Sequence, residues 1–323
     1  MRFAAIAILM AAISTALGAE PEPWATKDLR AGIIGTDTSH VPAYTGLFAK
    51  HPEWRIKVAA AFPGGSPDVK ASAERVEQFA KTINEKYGVE LVPSIEALLA
   101  KVDVVLIESV DGRPHLEQAR PVFRARKRLF IDKPFAGSLK DAREIVRLSQ
   151  ESGTPFFSCS CARFQPEVWR LRSDAGVGKV SKVQGSSPLS FEPHHPDLFW
   201  YGIHGVEALF TVMGPGCVSV SRKAEGDLDW TTGRWEDGRI GIFRGVKKGD
   251  YKPVVKVWGE KGEYETPGGF NYDGLVRTMA EFFQTGRPPI DPAETLEIVE
   301  FMTAAQLSKD RGGAEVTLEE VRK

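Results

Sequence analysis

Short apolar runs alternate with segments of helical spacing between residues 30 and about 160. The run at 102–107 is continuous and rich in β-branched residues, as buried parallel strands are. Strands are predicted at 30–34, 55–62, 102–107, 128–131 and 155–158. Helices are predicted at 42–50, 71–87, 95–100, 114–126 and 138–152, with Ser94 as a candidate N-cap. This alternation predicts a parallel sheet covered by helices, with the ligand site at the carboxyl ends of its strands.

The pattern changes beyond residue 165. A helix at 167–173 and a strand at 180–185 precede a strong helical pattern at 196–213. Several short runs between 217 and 265 indicate antiparallel strands, and two further helices are predicted at 272–284 and 293–308. The sequence therefore predicts an α/β protein. A parallel-sheet domain would span 29–155, and an α+β domain with a largely antiparallel open sheet would span 156–323.

The first 18 residues have the pattern of a secretory signal peptide. Arg2 is followed by an apolar run from Phe3 to Leu17 and then by the small residue Gly18. We therefore expect cleavage after residue 18, a polar linker over 19–28, and a periplasmic or secreted protein exported by the Sec route. The run is short for a transmembrane helix, so a stable membrane anchor is not expected, although an uncleaved anchor is the alternative.

Net charge and cysteine content limit the classes of partner and the disulfides that can be expected. The 323 residues carry 42 Lys and Arg against 43 Asp and Glu, a net charge of −1, so no nucleic-acid or anionic-membrane partner is predicted. The three cysteines are Cys159, Cys161 and Cys217. Export permits a disulfide between Cys217 and one of the other two, but buried, inert thiols are the simpler interpretation.

A turn after the first predicted strand has part of a dinucleotide-binding pattern. Where G-x-G-x-x-G is required, the chain has Gly35, then Asp37, then His40. The first glycine fits the pattern, and the other two positions do not.

Four further segments resemble the Gfo/Idh/MocA family of oxidoreductases (glucose–fructose oxidoreductase, inositol dehydrogenase and relatives). They are Val102–Ile107 with Pro114-His115, Phe130-Ile131-Asp132-Lys133-Pro134, Gly202-Ile203-His204-Gly205-Val206-Glu207, and Phe282–Pro289 with Ala304–Ser308. The third segment resembles the helix that carries the family's catalytic histidine. The second resembles the family's Glu-Lys-Pro motif, with Asp132 in place of the glutamate.

The resemblance implies a Rossmann-type domain and a second α/β domain whose open sheet often forms a subunit interface, hence a possible homo-oligomer. It implies hydride transfer between NAD or NADP and a hydroxyl of a small, carbohydrate-like substrate. The residues then expected to bind the cofactor are Gly35, Thr36, Asp37, Ser39, His40 and His115.

The same resemblance assigns acid–base chemistry to Lys133 and His204. An ammonium group at Lys133 would hydrogen-bond the substrate hydroxyl and stabilise a developing alkoxide. Glu207 lies one helical turn after His204, so we expect it to orient the imidazole or raise its pKa, as a third catalytic residue. Trp200 stands where the family commonly has an aspartate. Asp197 either replaces that aspartate or, as the simpler interpretation, caps the helix.

The remaining substrate contacts are expected around the same helix. Trp200 and Tyr201 would form a sugar-stacking platform or belong to the core, and His195 would contact substrate beside Lys133 and His204. His194, His195, His204 and Glu207 do not have the spacing of a metal-binding motif, so no metal is predicted.

Asp37 makes the cofactor an open question. Its carboxylate would repel each phosphate charge by about 1–4 kcal/mol at ~4 Å. Asp37, Thr38 or Ser39 could instead cap the next helix, and His40 could pair with Asp37 or contact a phosphate. The second predicted strand also ends without the acidic residue that usually binds the ribose hydroxyls of NAD. The family default is an exported dehydrogenase. The alternatives are a cofactor-free lyase, hydratase or epimerase in the same cleft, and a carbohydrate-binding protein without catalysis.

Overall fold

A computed structural model describes residues 22–173, 175–249, 252–269 and 271–323. The predicted signal peptide and the first residues of the predicted linker lie outside these ranges. Within the described ranges, no helix has both the length and the apolar character needed to cross a membrane.

Six parallel strands form the first sheet, which confirms the predicted N-terminal architecture. They are β1 (Leu29–Ile34), β2 (Ile56–Phe62), β3 (Glu90–Leu91), β4 (Val104–Ile107), β5 (Leu129–Ile131) and β6 (Phe156–Ser158). Their order is β3-β2-β1-β4-β5-β6, so the chain reverses direction across the sheet between β1 and β4. Such a reversal opens a crevice at the carboxyl ends of the two strands, where α/β sheets bind ligands.

Six helices connect these strands. They are α1 (His40–Lys50), α2 (Lys70–Ala73), α3 (Val76–Tyr87), α4 (Ile95–Leu99), α5 (His115–Arg124) and α6 (Leu139–Ser152). The predicted cap of α4 is present, because the Ser94 side chain accepts a hydrogen bond from the Ala97 N–H at 3.1 Å. The prediction of a single helix over 71–87 was wrong. The helix is interrupted between Ala73 and Val76, because α2 belongs to a segment that folds back over the edge of the parallel sheet.

The second sheet has seven strands and is antiparallel except between β7 and β10. The strands are β7 (Val180–Pro188), β8 (Cys217–Glu225), β9 (Leu228–Trp235), β10 (Ile240–Val246), β11 (Val254–Gly259), β12 (Gly262–Glu265) and β13 (Val316–Thr317). The helices that follow α6 are α7 (Pro166–Arg170), α8 (Ile203–Met213), α9 (Asp273–Thr285), α10 (Pro292–Asp310) and α11 (Leu318–Arg322). The predicted C-terminal α+β architecture is therefore confirmed.

Helix α8 lies unusually close to the second sheet, and this places His204. A Cβ atom on Gly185 of β7 would lie 2.2 Å from the Gly205 carbonyl oxygen, so only glycine allows this approach. A π-helical turn at Leu198–Gly202 leads directly into α8. Turns of this kind often occur at functional sites. Here the turn carries Trp200 and Tyr201 to the carboxyl edge of the first sheet.

Candidate active site

A cavity of about 260 Å³ lies between the carboxyl edge of the parallel sheet and helix α8. Six of the predicted site residues line it, namely Ser39, His40, Lys133, Trp200, Tyr201 and His204. A larger pocket of about 580 Å³ lies at the amino ends of β1 and β2 and holds none of the predicted site residues. The chemistry therefore belongs to the smaller cavity.

Lys133 enters this cavity from the loop after β5. Its backbone N–H donates to the Asp132 carboxylate at 2.8 Å, and its ammonium lies 5.4 Å from the centre of the Tyr201 ring. The side chain is largely buried. A cation held beside an aromatic ring in a site with little water interacts strongly with any anionic oxygen that forms there.

His40 faces the same cavity from the first turn of α1. Its Nδ1 is hydrogen-bonded to the carboxylate of Asp132, and its ring stacks on Tyr44 with centroids 5.1 Å apart. Burial would raise the pKa of Asp132, but His40 and Lys133 together lower it. Because Asp132 holds Nδ1, Nε2 is the nitrogen that a ligand would meet. His40 was predicted to pair with Asp37 or with a phosphate, and the Asp37 pairing was wrong.

His204 reaches the cavity from α8, where Tyr201 meets its ring edge-on with centroids 5.6 Å apart. Its Nδ1 is hydrogen-bonded to the Ser160 hydroxyl at 2.6 Å. Burial, followed by the positive charges of Lys133 and His40, lowers the pKa of His204 well below its ordinary value. The imidazole is thus neutral at neutral pH and able to accept a proton.

Glu207 does not act on His204 as predicted. Its carboxylate accepts a hydrogen bond from Nε of the fully buried Arg163 at 2.8 Å, and Glu294 lies 2.5 Å from Nη1 of the same guanidinium. Burial raises the pKa of Glu207, and Arg163 opposes that rise. The expected increase in the His204 pKa was also wrong, since burial and neighbouring cations lower it. Glu207 therefore joins α8 to Arg163 in the buried turn at Cys161–Phe164.

Asp37 lies neither in the cavity nor on an open phosphate-binding surface. It is fully buried, with one carboxylate oxygen 2.9 Å from the Val110 N–H and the other 2.5 Å from the Ser72 hydroxyl. Burial raises the pKa of Asp37 despite these two hydrogen bonds. The carboxylate therefore joins the turn after β1 to the loop after β4 and to α2. Of the three residues predicted as alternatives for the cap of α1, Thr38 and not Asp37 accepts a hydrogen bond from the first N–H of that helix, at 3.1 Å.

Gly35 has the geometry that the fingerprint requires. Its φ is +85°, and a Cβ atom there would lie 2.3 Å from the Ser109 hydroxyl, so no other residue fits. The turn that follows, however, is covered. Residues 63–75, which we call the crossing segment, lie over it, and Thr36 and Asp37 are fully buried. As they lie, Thr36 and Asp37 leave no room for a pyrophosphate above them, so this part of the turn does not fit a dinucleotide.

Two predicted histidines lie outside the cavity. His115 is fully buried, with its ring nitrogens 2.9 Å and 3.2 Å from the carbonyl oxygens of Ser109 and Phe135, and its predicted cofactor contact stays a prediction. The side chain of His195 is also buried, with Nε2 3.1 Å from the Asp111 carboxylate and its ring packed on Trp200. His195 therefore supports Trp200 and does not line the cavity.

Sequence reasoning did not assign several polar residues to the site. Ser160 holds His204, Asp132 holds His40, and Arg75 and Tyr272 line the cavity. A signal existed for Ser160 and Asp132, because both follow strands of the parallel sheet at its carboxyl edge. All three cysteines are free and buried, and Cys161 also lines the cavity. Among the described residues, no three His, Cys, Asp or Glu side chains are grouped as metal ligands.

Comparison with known proteins matches the N-terminal part of the chain to a family. Residues 29–158 match the model of the GFO_IDH_MocA oxidoreductase family, which has an NAD-binding Rossmann fold. UDP-N-acetylglucosamine 3-dehydrogenase of Acidithiobacillus ferrooxidans is 26% identical over 151 residues, 43% of this chain. The match spans 48% of that relative, about half of its length.

Two solved structures share the fold over most of the chain. Myo-inositol dehydrogenase from Lactobacillus casei, in complex with NAD(H) and myo-inositol, has a TM-score of 0.71 and 16% identity over 90% of this chain and 97% of its own. Scyllo-inositol dehydrogenase from the same organism has a TM-score of 0.72 and 16% identity over 91% of this chain and 99% of its own.

These similarities identify the N-terminal domain and the fold. The family is NAD-binding, which confirms the predicted cofactor class at the level of the family and does not distinguish NAD from NADP. The chain therefore has a Gfo/Idh/MocA-type Rossmann domain at residues 29–158, within a fold that it shares with two inositol dehydrogenases over nine-tenths of its length.

Proposed function

We propose that this chain is an enzyme that binds a small, carbohydrate-like molecule and moves a proton at one of its hydroxyl-bearing carbons. One observation carries the proposal: His40, Lys133 and His204 line a single cavity, each held by a neighbouring side chain or ring. Titratable groups gathered in one cavity mark catalytic sites, and the pKa of one of these three, His204, is lowered by burial and neighbouring charge.

The size and lining of the cavity favour a substrate about as large as a monosaccharide. Its volume of about 260 Å³ is below the roughly 300–1,000 Å³ of pockets for drug-sized ligands. Tyr201 remains 41% exposed and offers a ring face, while Arg75 and Lys133 offer hydrogen-bond donors. The relatives named for inositols and for an amino-sugar nucleotide support a polyhydroxylated substrate.

Lys133 and His204 would divide the proton chemistry. The Lys133 ammonium donates to the substrate oxygen and stabilises negative charge as it develops. His204 is neutral, and Ser160 fixes the orientation of its ring; in the tautomer whose Nδ1–H donates to the Ser160 hydroxyl, Nε2 accepts the proton as a general base. The family supports oxidoreduction at the hydroxyl-bearing carbon as the first candidate reaction.

A specific pair of observations favours a second candidate, a cofactor-free epimerisation or elimination. The turn that would hold a dinucleotide is buried, and the cavity has two imidazoles, His40 and His204, where acid–base chemistry alone needs an acid and a base. His40, hydrogen-bonded to the Asp132 carboxylate, is the candidate acid, and neutral His204 is the candidate base.

A turnover experiment tests both reactions. The chain from residue 19 is incubated with a panel of sugars and cyclitols in D₂O, with and without NAD or NADP, and followed by proton NMR and nicotinamide absorbance. We expect conversion of at least one compound, lost by about 10²-fold or more in Lys133→Met and His204→Gln. Thr82→Ala, an exposed change on α3, is the matched control. A panel that binds without turnover would contradict the proposal and favour a binding protein.

We also propose that the chain is exported. The support is the sequence of its first 18 residues, which the structure does not describe. Cell fractionation should find the mature chain outside the cytoplasm, beginning near residue 19. Recovery of the full-length chain in the cytoplasm would contradict export.

A homo-oligomer is proposed through the outer face of the seven-stranded sheet. Its half-buried side chains include Trp230, Ile240, Ile242 and Trp258, a mixture suited to an interface. Light scattering after size exclusion should give a multiple of the chain mass. A monomeric mass at micromolar concentration would refute this proposal.

A further inference from the structure

We infer that the crossing segment, residues 63–75, closes the dinucleotide site of this chain, so that NAD or NADP binds only when the segment is displaced. The inference concerns the cofactor edge of the sheet, and it does not depend on which substrate the cavity accepts.

The fold defines where a dinucleotide would lie. In a doubly wound sheet with this strand order, the pyrophosphate sits over the turn after β1, and the adenosine ribose lies beside the end of β2. In this chain those places are the turn Gly35–Thr38 and the residues after Phe62. The crossing segment begins directly after Phe62 and returns to the sheet edge at α3, so its path leads through that crevice.

Hydrogen bonds attach the crossing segment to the turn. The Thr36 hydroxyl lies 3.1 Å from the Pro63 carbonyl and 2.9 Å from that of Val76, at the two ends of the segment. The Ser72 hydroxyl donates to Asp37 at 2.5 Å. Each contact uses a side chain of the turn that would otherwise lie beneath a bound pyrophosphate.

A second set of contacts attaches the segment to the loop after β4. The Ser66 hydroxyl donates to Asp111 at 2.6 Å, and Arg113 donates to Asp68 at 2.9 Å. Val69 is fully buried and packs in a cluster with Val110 and Trp200. Displacing the segment therefore exposes apolar surface as well as breaking hydrogen bonds.

The closed position explains the burial of the turn. Thr36 and Asp37 have no exposed surface, so an anion cannot reach these two residues while the segment is in place; Ser39, at the end of the turn, is exposed and lines the substrate cavity. Ala71 and Arg75 of the segment also line the substrate cavity. The crossing segment thus covers Thr36 and Asp37 at the cofactor edge and forms part of the cavity wall.

Calorimetric titration of NAD and NADP into variants of the segment tests this inference. In the first variant, two glycines replace residues 65–73. In the second, Ser72→Ala removes the bond to Asp37 and leaves the rest of the segment unchanged, so the test survives if the shortened chain does not fold. Thr82→Ala is the control, because its hydroxyl bonds only the Gln78 carbonyl of its own helix.

Both segment variants should bind a dinucleotide more tightly than the wild-type chain. Ser72→Ala removes one hydrogen bond to a carboxylate, so displacing the segment costs less and the dinucleotide should bind about tenfold more tightly. The shortened chain should show a larger increase in affinity. In any variant that binds, hydrogen exchange of the remaining segment amides should rise on saturation. Affinities no tighter than wild type in both variants, or exchange that stays unchanged on binding, would overturn the inference.

A double-mutant cycle separates closure from simple charge repulsion. If Asp37 acts by attaching the segment, Asp37→Gly should tighten binding about tenfold in the full-length chain and much less in the shortened chain. If Asp37 only repels phosphate, the same tightening should occur in both backgrounds, and closure by this attachment would be refuted.

Discussion

Removing the carboxylate charge of Glu207 should destabilise the fold more than it affects catalysis. Glu207 and Glu294 both lie against the guanidinium of Arg163, whose side chain has no exposed surface. A buried charge that loses its partner cannot be solvated, so the cost falls on the free energy of unfolding. The substitution Glu207→Gln keeps the shape of the side chain and removes only its charge.

The size of the effect follows from the contacts. Breaking a buried ion pair by removing one partner costs about 3–5 kcal/mol. Glu294 still lies 2.5 Å from Arg163 Nη1, and the glutamine oxygen can still accept from Nε, so the lower end, about 3 kcal/mol, is expected. At roughly 2 °C per kcal/mol for a protein of this size, the thermal midpoint should fall by about 6 °C.

Differential scanning calorimetry of the wild-type and variant chains measures this fall. The matched control is Glu281→Gln, since Glu281 lies 3.9 Å from Arg277 with both side chains about half exposed. An exposed pair of this kind contributes below about 0.5 kcal/mol, so the control should melt with the wild type. A Glu207→Gln chain with an unchanged midpoint but lost turnover would refute the structural role and restore the catalytic one.

Three further predictions follow from the site and its support. Ser160→Ala should lower kcat/KM about tenfold by freeing the His204 ring, and Ser160→Thr should restore most of it. Burial lowers the pKa of His204 and His115 from 6.5, so their neutral forms favour the fold above that pH. Urea midpoints should therefore fall as the pH drops below about 6.5, whereas a flat profile would contradict this assignment. Gly185→Ala should cost about 1–3 kcal/mol in urea unfolding, because its Cβ meets the Gly205 carbonyl; an unchanged midpoint would exclude this clash.

The fold and the centre of the site follow from local sequence patterns. The alternation of apolar runs and helical spacing predicts the parallel sheet, and the carboxyl-edge rule places Lys133 beside the turn after β1. His204 arrives from the other domain, and only its family-like segment predicts that it would meet Lys133. Helix 71–87 was predicted as one piece because Val76, Phe79, Ala80 and Ile83 share a face, and that pattern does not reveal the break before Val76.

The wrong assignments share a physical cause, which is competition from residues distant in sequence. Glu207 lies one turn from His204, but Arg163, 44 positions away, takes its carboxylate. His40 could pair with nearby Asp37, but Asp132, 92 positions away, holds it instead. Which partner a charged side chain takes depends on which charges are buried together, because burial makes an unpaired charge costly. The spacing of residues along the chain does not reveal which charges are buried together.

The departures of the turn from the dinucleotide pattern are consistent with one arrangement. Considered separately, Asp37 replaces a glycine that would approach the phosphates, and Phe62 ends the second strand where an acid would bind the ribose. In the structure Asp37 bonds Ser72 of the crossing segment, and that segment begins immediately after Phe62, where an acid would have no ribose to bind. His40 does not serve a phosphate site and instead faces Lys133 and His204 across the cavity. The crossing segment covers the cofactor edge and also supplies Arg75 to the cavity wall. The path of this one segment therefore both covers that edge and shapes the substrate site.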